Sequence, residues 1–208
     1  MRAGIVAVLL LLVGAACGSV PADSAVSASG LDRLAVKPAG SMTGYSRAQF
    51  GPAWADVDHN GCDTRNDVLN RDLKNKDWRP GTHGCVVVDG KLHDPYTGRT
   101  IVFQKAHADQ VQIDHVVALA DAWRSGAATW TAERRKAFAN DPHNLLAVDG
   151  HENQSKGDGN ASEYLPPDAT FRCAYIQGQI TVKSEYQLSV TPAEHDAMAK
   201  VLATCRGS

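Results

Sequence analysis

Apolar and polar positions alternate in short blocks along this chain, and the blocks change period at recognisable turn residues. Arg65 to Leu73 reads as a helix, with Asp63 or Thr64 as its cap. From Cys85 the pattern becomes that of strands. Val86-Val87-Val88 and Lys91-Leu92 flank Asp89-Gly90, a pair that readily takes the positive φ angles of a type I′ turn, so a hairpin is predicted there. Asp94-Pro95-Tyr96-Thr97-Gly98 is a second turn, and Thr100 to Phe103 a further strand. Val111 to Ile113 is a short strand that leads into Asp114-His115. Val116 to Trp123 then reads as a helix, with Val116, Leu119, Ala120 and Trp123 on one face. A helix over Ala132 to Ala139 and an apolar strand over Leu145 to Val148 follow. Gly150 to Lys156 is a short polar helix that places Asn153 and Lys156 on one face. Phe171 to Val182 is helical. Thr191-Pro192-Ala193-Glu194 is a capping box with proline at the first helical position, opening a helix that runs to about Thr204. Strands and helices in this mixture predict an α+β domain.

The start of the chain reads differently. Met1-Arg2 precedes the apolar run Ile5 to Val13, too short to span a bilayer comfortably, so residues 1–17 read as a secretory signal. Gly14-Ala15-Ala16-Cys17 also resembles a bacterial lipoprotein cleavage site, which would make Cys17 a lipidated residue and tether the protein to a membrane; Gly14 stands where leucine is usual. Residues 18–44, rich in Ala, Ser, Gly and Pro, read as a linker, and 45–208 as the folded domain. Export agrees with the cysteines. Apart from Cys17 there are four, Cys62, Cys85, Cys173 and Cys205, which suggests two disulfides. Three pairings exist, and local proximity favours Cys62–Cys85 with Cys173–Cys205. The expected destination is the cell envelope or the medium, and the expected state a monomer. A net charge of −2 excludes a broad basic field, so binding of nucleic acid would rest on a local patch.

Asp56-Val57-Asp58-His59-Asn60-Gly61 resembles the start of a calcium loop, with Asp67 at the twelfth position. Asp63 at the eighth position and aspartate in place of glutamate at the twelfth depart from the EF-hand pattern. Ca2+ at Asp56, Asp58, Asn60 and Asp67 is one reading; a polar turn that caps the following helix is the other.

The chemistry concentrates between Gln112 and Asp158. Hydrolysis of a phosphodiester needs a base to deprotonate water and a cation to stabilise charge on the leaving oxygen. His115 suits the first task because imidazole titrates near neutral pH. Asp114 and Asn153 offer hard oxygen ligands suited to Mg2+ or Mn2+. Neighbouring residues on a strand point to opposite sides, so Asp114 and His115 share a site only if the strand ends there. The amide of Asn144 would bridge loop backbone. Lys156 would meet a phosphate as a point charge, and Arg65 would reach the scissile phosphate or else lie on a solvated helix face.

Ile113-Asp114-His115-Val116-Val117, with Asn144, Asn153 and Lys156-Gly157-Asp158, resembles the HNH endonuclease family, and more narrowly its exported bacterial members. Asn153 stands at the last motif position in place of histidine, and Ala118 where many members have proline. The resemblance implies a ββα-metal (HNH, or His-Me finger) core with surrounding helices and an N-terminal β-hairpin region. It implies His115 as general base, Asp114 and Asn153 as ligands of one divalent ion, and Asn144 as loop organiser. The implied substrate is DNA, with RNA as a second candidate. A non-catalytic calcium-binding envelope protein with a decayed site is the rival reading.

Overall fold

The computed structural model describes Met1 and residues 30–205; the rest of the expected signal segment, Cys17 included, lies outside the described residues. The chain forms α1 (Thr64–Asp72), β1 (Lys74–Trp78), β2 (Val87–His93), β3 (Thr100–Gln104), β4 (Val111–His115), α2 (Leu119–Ser125), α3 (Ala132–Ala139), β5 (Leu145–Asp149), α4 (Gly150–Lys156), α5 (Arg172–Tyr186) and α6 (Pro192–Leu202). Strands β1-β2-β3 make one antiparallel sheet, and β4-β5 make a separate antiparallel pair. The helix α4 follows β5 without a break, so β4, β5 and α4 form a ββα unit. The fold is α+β, with disulfides Cys62–Cys85 and Cys173–Cys205.

The β4-β5 pair is buried on both sides, and strand alternation decides what each residue meets. Val111 and Ile113 of β4, with Leu145 and Ala147 of β5, join a core with Val68 and Leu69 of α1, Leu73 just beyond it, and Leu92 and Phe103 of the larger sheet. Val148 belongs instead to a second core with Tyr96, Tyr175, Ile176 and Met198, built from α5 and α6. A third core gathers Phe50, Trp123, Phe138 and Leu188 around α2 and α3. Polar ties complement this packing. The Arg71 guanidinium donates to the carbonyls of Pro142 (2.8 Å) and Leu145 (2.7 Å), and Asp72 accepts from the amide of Ala147, so α1 is fastened to β5.

Three expectations are corrected. Asp89-Gly90 is not a hairpin turn: β2 runs straight through it, paired with β3 at Asp89–Gln104 and Gly90–Phe103. Glycine is needed there for space, since a Cβ at Gly90 would sit 2.9 Å from Leu73 Cδ2. The true partner of β2 on its other edge is β1, whose sequence Lys-Asn-Lys-Asp-Trp carries no apolar alternation. The helix expected from Val116 starts only at Leu119, because Val116 and Val117 give their backbone groups to Asn144 and Gln179. The expected linker is also shorter than read. Leu31 and Leu34 are buried among α5 and α6, and the amide of Lys37 donates to the Val190 carbonyl, so the fold includes residues well before Tyr45.

Gly150 joins β5 to α4 at the closest approach in the ββα unit. Its amide donates to Gln110 O at 3.0 Å, and a Cβ built on it would lie 1.9 Å from the carbonyl oxygen of Asp109. Backbone cannot yield as a side-chain tip can. Gly150→Ala is expected to destabilise the protein by about 3 kcal/mol, read as a shift in the urea midpoint with unchanged slope.

Candidate active site

β4 ends in two buried polar residues, Asp114 at 4% and His115 at 7% exposure. Gln112 and Asp114 lie on the face of β4 that meets α4. Asp114 accepts two hydrogen bonds from opposite sides: Oδ1 from Lys156 Nζ at 2.9 Å, and Oδ2 from the hydroxyl of Tyr96 at 2.5 Å. Lys156 is itself buried, and its ammonium also donates to the carbonyl of His115 at 2.8 Å. The Asp94–Gly98 turn delivers Tyr96. Asp94, fully buried, accepts from the amides of Thr97 (2.9 Å) and Asp149 (3.0 Å), which pins the turn to the end of β5.

His115 is held from two directions. Its Nε2 lies 2.9 Å from the carbonyl of Ala139, and only a protonated Nε2 makes that a hydrogen bond. The tautomer is therefore settled, and Nδ1 keeps the free lone pair. The ring of Trp54 lies nearly parallel to the imidazole, 14° between planes and 6.1 Å between centroids. Burial pushes the His115 pKa down to about 4 against the opposing pull of the Ala139 carbonyl and Asp114; the charges of Arg47 and Lys156 add to the lowering. The imidazole is thus neutral at physiological pH, well below the near-neutral titration expected of an ordinary histidine.

Asn144 is fully buried, and both ends of its amide grip Val117: Oδ1 accepts from the amide at 2.8 Å and Nδ2 donates to the carbonyl at 3.2 Å. This clamps the chain as it leaves β4 to the start of β5. Asn153, on α4, donates through Nδ2 to Gln112 Oε1 at 2.8 Å, which leaves its oxygen without a protein donor among the described residues. Asp114, His115 and Asn153 all line one cavity of about 150 Å3, together with Arg47 and Asp158. That cavity offers a carboxylate with lone pairs to spare, an amide oxygen and an imidazole lone pair. Hard oxygen donors of this kind fit a Mg2+-sized ion that completes its shell with water and phosphate.

Other candidates stand elsewhere. Lys156 is not a surface charge awaiting a phosphate, since the buried pair with Asp114 consumes it. Arg65 does not reach the cavity either: its guanidinium donates to the carbonyls of Val111 (3.1 Å) and Ala108 (3.4 Å). Two histidines close to the motif in sequence also stand outside the cavity: His143 sits at the surface beside Asp141 (3.5 Å) and Glu185 (3.9 Å), and His151 is exposed. In the Asp56–Asp67 loop, Asp56 accepts from the Gly61 amide, and Asn60 donates to both Asp58 (3.0 Å) and Asp67 (3.1 Å). Burial, with repulsion from Asp58, Asp63 and Asp56, raises the Asp67 pKa despite the Asn60 hydrogen bond. Asp63 caps α1, accepting from the Asn66 amide. Tyr96 and Gln112 are the residues that sequence reasoning missed; only Tyr96 left a signal, as the middle of a marked turn.

Removing one partner of a buried ion pair leaves the other charge unpaired in a low-dielectric site. Lys156→Met is expected to cost about 3–5 kcal/mol of stability, measured by chemical unfolding. A cost below about 1 kcal/mol, typical of surface pairs, would contradict the burial described here.

Residues 63–201 match the family described as GmrSD restriction endonucleases, C-terminal domain. Over 177 residues, 84% of this chain and 82% of the relative, the sequence is 42% identical to an "uncharacterized secreted protein" of Arthroderma benhamiae. No solved structure matches. The match spans the larger sheet, the β4-β5-α4 unit with Asp114, His115 and Asn153, and nearly all of α5 and α6: the chain belongs to the family of GmrSD restriction endonuclease C-terminal domains, a nuclease family.

Proposed function

We propose that this protein is an exported, metal-dependent endonuclease that hydrolyses phosphodiester bonds of DNA, with RNA as a second substrate. The observation that carries the reading is the single cavity lined by Asp114, His115 and Asn153. The family's nuclease character and the secreted relative support it, as do two disulfides.

His115 is the general base. The Ala139 carbonyl holds its Nε2–H, so Nδ1 faces its task as a lone pair and takes the proton of the attacking water. Asp114 and Asn153 would hold a Mg2+ or Mn2+ ion, whose charge, when bound, stabilises the leaving oxygen. Tyr96 and Lys156 orient Asp114, and Gln112 turns the Asn153 amide so that its oxygen is presented to the cavity. Asn144 keeps His115 in register with the loop that follows it.

Plasmid nicking by the full-length protein with its disulfides intact tests this directly. Cutting is expected with Mg2+ or Mn2+ and none with EDTA. His115→Ala should reduce the rate by about 10²–10⁴-fold, and Gln112→Ala by about 10–100-fold, partly restored at raised metal concentration. Cutting undiminished in the His115→Ala protein would overturn the assignment of the base.

One observation favours a calcium-binding envelope protein as the second reading. Oδ1 of Asp56 is buried and accepts no hydrogen bond from the described residues, in a loop crowded with carboxylates. A melting temperature raised by Ca2+, together with no cutting by folded protein at any metal, would select it.

A further inference from the structure

We propose that Arg47 is the cation that holds the scissile phosphate over His115, supplied by a segment that precedes the matched nuclease domain. The proposal rests on the phosphodiesterase reading and names the group that grips its substrate.

Arg47 opens a single-turn 3-10 helix, Arg47–Phe50. It lies well before residue 63, where the family match begins. Two cavities flank His115. One is the polar cavity of Asp114 and Asn153; the other, also about 150 Å3, is largely apolar and walled by Phe50, Trp54 and Leu119. Arg47 and His115 both line both of them, so Arg47 stands where the two cavities meet the histidine. The charge is close enough to oppose protonation of His115.

The other cations near the site are engaged. Lys156 is neutralised by Asp114, Arg65 is spent on backbone carbonyls, and Arg124 donates to the carbonyl of Asp158. Arg47 is exposed, and its guanidinium has no hydrogen bond or ion pair among the described residues. Its backbone is nonetheless anchored. Phe50, at 1% exposure, packs 6.4 Å from Trp123 and 6.1 Å from Phe138 between ring centroids. Arg135 Nε donates to the carbonyl of Gln49 at 2.8 Å, and Gly51 ends the turn at φ 82°. A free guanidinium on a fixed backbone is ready for a planar, two-pronged grip on phosphate, which a lysine matches only in charge.

The test compares wild type, Arg47→Ala, Arg47→Lys and, as a surface-charge control, Lys200→Ala, all full length. Binding of a fluorescent DNA duplex is followed in EDTA over a range of salt, and nicking is followed with Mg2+. Arg47→Ala should weaken binding about 10-fold and reduce the salt slope by about 0.9. It should lower kcat/KM by about 10–100-fold, with an unchanged melting temperature. Arg47→Lys should keep the salt slope but recover only part of the rate, and Lys200→Ala should change neither. Wild-type cutting with Arg47→Ala unaltered in slope and rate would overturn the role of Arg47 and leave the nuclease reading intact. A wild type that never cuts, yet loses salt slope on Arg47→Ala, would overturn the nuclease reading while keeping Arg47 as a phosphate contact. An Arg47→Ala loss matched in full by Lys200→Ala would reduce the effect to overall charge and overturn the proposal.

Discussion

The buried contact between Lys156 and Asp114 governs the architecture of this site. A carboxylate at the end of a buried strand is costly to desolvate, and here its compensation comes from two other parts of the chain. Lys156 at the end of α4 supplies the counter-charge, and Tyr96 from the Asp94–Gly98 turn supplies a hydroxyl donor. The same ammonium caps the carbonyl of His115, so one cation fixes both the side chain of Asp114 and the backbone of its neighbour. The ββα unit cannot close correctly unless the turn, the strand end and the helix end arrive together. That coupling gives the site its rigidity.

A second constraint concerns the imidazole. His115 lies under Trp54 with its Nε2 committed to Ala139, and burial holds it neutral. A base of low pKa is intrinsically weaker than one tuned to neutrality, but it is wholly unprotonated at physiological pH. What it loses in proton affinity must be recovered by acidifying the water or by placing it well. This is why the oxygen donors across the same cavity, and the asparagine clamp that fixes the strand exit, carry as much of the proposed mechanism as the histidine itself.

Much of this architecture was legible in the chain. The Asp114-His115 pair at the end of an apolar run, the Leu145–Val148 strand and the short polar helix after it are local features, set by period and by flanking turn residues. So are the capping box at Thr191 and the helix from Ala132. What was hidden is non-local. Lys156 looks like a phosphate ligand from its place in the motif, and only the tertiary fold shows that it is buried against Asp114. Gln112 reads as an unremarkable polar residue in a strand, yet strand alternation aims it at Asn153. Asp89-Gly90 carries a strong turn signal, overridden because Leu73, at the junction of α1 and β1, packs against that strand and leaves no room for a side chain at Gly90. β1 has no hydrophobic pattern and exists through its pairing with β2. Leu31 and Leu34 sat inside a composition typical of linkers, and two apolar residues are too few to reveal a period.

The buried pair also bears on how a cation would be held. Asp114 is already compensated by Lys156, and Asn153 is neutral, so the two proposed ligands together with the lysine present no net charge. Asp158, which also lines the cavity, is matched in charge there by Arg47, so a divalent ion would meet no strong anionic trap. Its binding would gain most when a phosphate enters and contributes negative charge to the same cavity, so the proposed site is built for metal and substrate to favour each other. Arg47 fits that arrangement. It adds positive charge to both cavities that His115 lines, where a phosphate would arrive, while the lysine in the motif is held in the buried pair with Asp114. The division places substrate capture on the segment before the family domain and leaves the ββα unit to hold the base and the oxygen ligands.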